Sequence, residues 1–127
     1  MKAILKMNKQ EKRKPRMSPS PKMREAARRL MGDVEGHLTT IVYETWMPVE
    51  WHRDGHVIRE LGMEIRHQGN EVIVSCKYEN LIDRVSASGC IKRGTLEDVQ
   101  AWLADDASII EVALRLENLY ENTHTWD

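Results

Sequence analysis

The chain has 127 residues, 41% apolar and 31% charged, with a formal net charge of -1; this fits one wet-surfaced domain of about 100 residues rather than two. The small net charge hides a split by position: residues 1–29 carry eleven Lys and Arg against two Glu, whereas residues 30–127 carry eight against eighteen acids. No apolar run reaches the roughly 18 residues of a membrane span or the ~7 of a secretory core, so the sequence predicts a cytoplasmic protein with no membrane contact.

Residues 1–19 contain seven Lys and Arg and little to bury. Such a segment does not offset the entropy of ordering its backbone, and it is expected to be a disordered basic arm ahead of a single domain over 20–127. Ser20-Pro21 then reads as a helix start, with Met23, Ala26, Ala27 and Leu30 at helical spacing and Gly32 as the stop. Lys22, Arg24, Arg28 and Arg29 fall on the opposite face, so the basic arm is expected to continue onto a structured element.

From Thr39 the period changes to two. Ile41, Tyr43, Thr45 and Met47 alternate with Val42, Glu44 and Trp46 in a strand ended by Pro48. A second strand is expected over Val57–Arg66, with Leu61, Met63 and Ile65 facing one way and Glu60, Glu64 and Arg66 the other. The turn Gln68-Gly69-Asn70 leads into a third, where Val72, Val74, Cys76 and Tyr78 share a face. A fourth, over Val85–Ile91, is the weakest, since Ser86, Ser88 and Gly89 pack little.

Two helices follow. Thr95 with Asp98 resembles a capping box ahead of Leu96, Val99 and Leu103, and Asp105-Asp106 starts a second helix with Ile109, Val112, Leu116 and Leu119 in one stripe that Ile110, Ala113 and Leu114 widen. A stripe this broad must be covered. The expected class is α+β: an N-terminal helix, an antiparallel sheet of three to four strands, and two C-terminal helices packed on one sheet face.

His52, Asp54 and His56 are the residues most suited to metal binding or acid-base work, and a small metal-dependent hydrolase built on them is one reading. Two histidines four apart share a face only on a helix, however, and Asp54-Gly55 is a turn signal, so a polar loop is the better expectation. Cys76 falls on the buried face of its strand, where a thiol packs as a small hydrophobe. Cys76 and Cys90 lack paired spacing, and reduced thiols are expected. The glycines form no phosphate-binding pattern, and neither a catalytic residue nor a cofactor is assigned.

The charges carry more information. Lys12, Arg13, Lys14, Arg16, Arg24, Arg28 and Arg29 are candidate phosphate contacts, salt-sensitive and indifferent to base sequence, since the arm has no aromatic residue for stacking. From Gly94 to Asp127 there are eight acids against Arg115 alone. Asp98, Asp105, Asp106, Glu111, Glu117 and Glu121, with Trp126 as an anchor, are candidates for docking a protein partner. The two poles also predict salt-sensitive self-association, so a homo-oligomer is possible in dilute buffer.

The order helix, antiparallel strands, two helices, in a short acidic-bodied chain, resembles in outline some small phage-encoded inhibitors of host defence nucleases, of the anti-CRISPR kind. This likeness implies an inhibitor whose acidic face occupies a nucleic-acid groove. The residues themselves favour a non-enzymatic regulatory or accessory protein that contacts a nucleic-acid-handling machine, its arm on phosphate and its acidic helices on protein.

Overall fold

The computed structural model describes residues 18–48, 52–53, 56–57, 59–82 and 84–122. Helix α1 spans Pro21–Glu35, and Ser20 caps it by accepting a hydrogen bond from the Met23 amide, with Pro21 at the first helical position. Gly32 does not stop it. Met31 and Val34 are both buried and extend the apolar stripe for another turn, which outweighs the roughly 1 kcal/mol that an exposed helical glycine costs. Packed structure also begins slightly early, because Pro19 is buried.

Strand β1 (Val42–Pro48) follows a turn region and starts three residues later than the alternation suggests. His52–Arg53 (β2) and His56–Val57 (β3) pair as a minimal antiparallel hairpin, so the expected loop carries a two-rung ladder. Strand β4 is Arg59–Gln68, and Gly69 at φ 63° makes the turn into β5 (Glu71–Asn80), a left-handed conformation that glycine adopts without a Cβ penalty. Strand β6 runs over Val85–Gly94, three residues beyond the expected end, because its ladder to β5 holds it where its side chains pack little. One irregularity between Val74 and Ser75 shifts that register.

The main sheet has the order β1-β4-β5-β6, antiparallel throughout. Helix α2 (Leu96–Leu103) begins with the capping box of Thr95 and Asp98, and α3 (Asp106–Asn122) is the last element of the described residues. This is the expected α+β arrangement with four strands. Helices α1 and α3 pack against each other and against the sheet, and α2 sits over β5 and β6.

The core lies between these layers. Leu61, Met63 and Ile65 of β4 and Val72, Val74, Cys76 and Tyr78 of β5 meet Leu30 and Val34 of α1, Val99 of α2, and Val112, Ala113 and Leu116 of α3. Burial on one face only is what the strict alternation along β5 requires. No helix of the described residues covers the opposite face of the sheet.

Candidate functional site

The basic pole begins on α1. Lys22, Arg28 and Arg29 are exposed and Arg24 is half-buried, while the core side of the same helix holds Met23, Ala27 and Leu30. Arg28 lies 3.9 Å from Glu25 in a solvent-exposed pair, a contact worth little to stability. Lys12, Arg13, Lys14 and Arg16 lie outside the described residues.

On the acidic helices, most of the candidate carboxylates are also tied into local structure. Asp98 accepts from the Thr95 amide at 3.2 Å, Asp105 from the Ala107 amide at 3.0 Å, and Glu111 from the Trp102 indole at 3.0 Å. Asp106 is exposed in the first turn of α3, and Glu121 is half-buried near its end. Glu117 departs from the expected acidic surface. It is only 6% exposed and accepts a hydrogen bond from the Ser20 amide, joining the start of α1 to α3. Trp126 lies outside the described residues.

Beside that junction is a buried polar cluster. Arg59, 6% exposed, donates to the Tyr120 hydroxyl at 2.7 Å and stands 5.3 Å over its ring, and Tyr120 meets Tyr78 edge-on. Burying a guanidinium is tolerable only with such partners. The cluster fastens the first residue of β4 to the last turns of α3.

The thiols, His37 and His67 take ordinary positions. Cys76 is fully buried, and that burial pushes its thiol up to about 12, whereas Cys90 is exposed. His37 stacks on Tyr43 at 3.7 Å, and His67 bonds the Leu38 carbonyl. The backbone ladder pairs His52 with Val57 and Arg53 with His56, so the two histidines are not cross-strand partners. Asp54 lies outside the described residues. Among the described residues, no group of three or more His, Cys, Asp or Glu is placed to hold a metal ion.

Sequence patterning gave little notice of the open sheet face, because its layout depends on register between strands. Trp46 lies across from Gly62, and its indole covers that glycine so closely that a Cβ there would come within 2.7 Å of the ring. Lys77, the β5 partner of Gly62, stands 5.7 Å over the Trp46 ring. Its ammonium bonds Glu44 and lies 3.8 Å from Glu64. The Lys77 ammonium beside it holds the Glu44 carboxyl below its ordinary range. A cleft of about 490 Å3 opens here, lined by Glu44, Trp46, Lys77, Glu79, Ser86 and Ser88 among others.

These features define an α+β fold with a basic helix face, an acidic helix pair and one mixed-charge sheet face that no helix of the described residues covers. The chain matches no known protein-family model, no curated protein and no solved structure. No helix of the described residues is long and apolar enough to cross a membrane.

Proposed function

We propose that this is a non-enzymatic accessory protein that contacts a nucleic-acid-handling assembly, meeting phosphate with its basic pole and protein with the acidic helices α2 and α3. The observation that carries the reading is the exposure of Lys22, Arg28 and Arg29 on the solvent side of α1, in direct continuation of the seven cations of residues 1–19. A row of cations on a rigid helix presents charge to a phosphate backbone without reading bases. The acids of α2 and α3 face Arg115 as the one cation in those two helices, so the field there is negative. That field repels nucleic acid from the same helices and favours a basic protein surface.

Binding of the full chain to two duplex DNAs of unrelated sequence tests this reading. Affinities equal within a few-fold, both weakened by added salt, are expected. No binding in dilute buffer, or strong preference for one sequence, contradicts it. Replacing Asp106 and Glu111 with Lys is expected to leave duplex affinity equal or higher, because those acids face protein rather than phosphate.

A further inference from the structure

The uncovered sheet face carries Glu44, Glu60, Glu64, Glu71 and Glu79 against Arg66, Lys77 and Arg93, as the strand registers place them. Two of these acid pairs are directly cross-strand. Glu44 faces Glu64, and Glu60 faces Glu79. Like charges in such positions repel. The first pair is relieved from within, since Lys77 sits between its carboxylates and Arg66 bonds Glu64 at 3.0 Å. The second pair, four residues back along β4 and across from β5 instead of β1, has no ion pair among the described residues. Glu79 lines the cleft that Trp46 walls on one side and Ser86 and Ser88 on the other. The face thus has two similar acid pairs and a built-in cation for one of them.

The chain enters the packed structure at this same end. The Ser20 amide bonds Glu117, on the part of α3 that carries Tyr120. Tyr120 bonds Arg59, which opens β4 opposite Asn80, the last residue of β5. Glu60 and Glu79 are the next pair along that ladder. Residues 1–17 span up to roughly 56 Å when extended, against two packed layers of about 10 Å each to be rounded.

We propose that the basic segment 1–17 docks on the open sheet face of its own chain, setting a lysine or arginine between Glu60 and Glu79 beside Trp46, and that this contact competes with phosphate for the same cations. The occupant follows from charge complementarity and from reach. Tethering adds an effective concentration in the millimolar range, which no free basic peptide matches at cellular levels. Docking itself does not depend on the phosphate-binding reading, whereas its regulatory consequence rests on it. Bound nucleic acid would release the sheet face, and a protein partner seated on that face would release the arm.

Zero-length carbodiimide crosslinking of the full chain tests the docking. The monomeric product from dilute protein is digested and its linked peptides are identified. The expected result is amide links from Lys2, Lys6, Lys9, Lys12 or Lys14 to Glu60 or Glu79, lost in about 1 M salt, where the screening length falls to ~3 Å. Links to Asp106, Glu111 or Glu121 instead, links only between chains in a mixture of isotopically distinct copies, or no arm links at all overturn the proposal. The competition is read separately with Glu60→Gln/Glu79→Gln in the full chain, a near-isosteric change that relieves repulsion and so preserves the fold. If the arm is docked about nine-tenths of the time, this variant binds duplex DNA about tenfold more tightly. Unchanged affinity overturns the competition. If neither protein binds duplex at any salt, the phosphate reading fails, while the crosslinks still decide the docking.

Discussion

A Cβ at Gly62 would lie 2.7 Å from the Thr45 carbonyl oxygen and 2.7 Å from the Trp46 ring, and both obstacles are fixed by the β1–β4 ladder. Gly62→Ala is therefore expected to lift the indole or shift the strand at a cost of about 1–3 kcal/mol, read as a lower urea midpoint. An unchanged midpoint would mean that the indole does not rest on the sheet. Cys76 gives a second prediction at this scale. Burial raises its thiol to about 12, above the unfolded value, so the neutral thiol favours the fold. That contribution is complete below the unfolded value and is lost as pH rises through the alkaline range toward 12. Wild type should lose more stability than Cys76→Ala over that window, and a thiol reagent should label Cys90 quickly and Cys76 only on unfolding. Parallel pH profiles, or fast labelling of both thiols, would place Cys76 outside the core. The burial of Cys76 was legible in the alternation of β5, since every second residue there is apolar. Neither the Trp46–Gly62 contact nor the burial of Glu117 was. The first depends on register between two strands, and the second on an amide 97 positions away in sequence.

At the scale of elements, local chemistry set the helix starts and tertiary packing set the lengths. Ser20 and Thr95 cap α1 and α2 as their side chains dictate. Thr95→Ala is expected to cost about 1 kcal/mol and Thr95→Asn to recover most of it, measured by thermal unfolding. Equal midpoints for all three proteins would show that the capping box does not hold α2. Helix α1 passes Gly32 because Met31 and Val34 find the core, which no local signal reports. Strand β6 outruns its expected end for a related reason. Its pairing is supplied by β5, and a ladder of backbone hydrogen bonds does not require large side chains. The hairpin of β2 and β3 follows the Asp54-Gly55 turn signal, but the sequence alone read as a loop because only two residues on each side pair.

At the scale of the molecule, the three helices, the four-stranded sheet and the small hairpin of the described residues divide the surface into regions of different charge. One sheet face is sealed by helices, so contacts fall to the outer helix faces and the open sheet. The division between a basic start and an acidic body was legible from sequence, because it is set by residue counts alone. The open sheet face was not, because strand alternation says which residues share a face and leaves open which face the helices cover.

In the proposed function, rigid cations on α1 meet phosphate together with the arm that precedes them. The slope of log K against log salt concentration for duplex DNA tests it most directly, compared between the full chain and its Lys22→Gln/Arg28→Gln/Arg29→Gln variant. Each phosphate neutralised contributes about 0.9 to the slope, so the account predicts a slope shallower by about 2–3 in the variant, with weaker binding and no change in sequence preference. Equal slopes and affinities for the two proteins would mean that α1 does not touch the phosphate backbone, and would contradict the account.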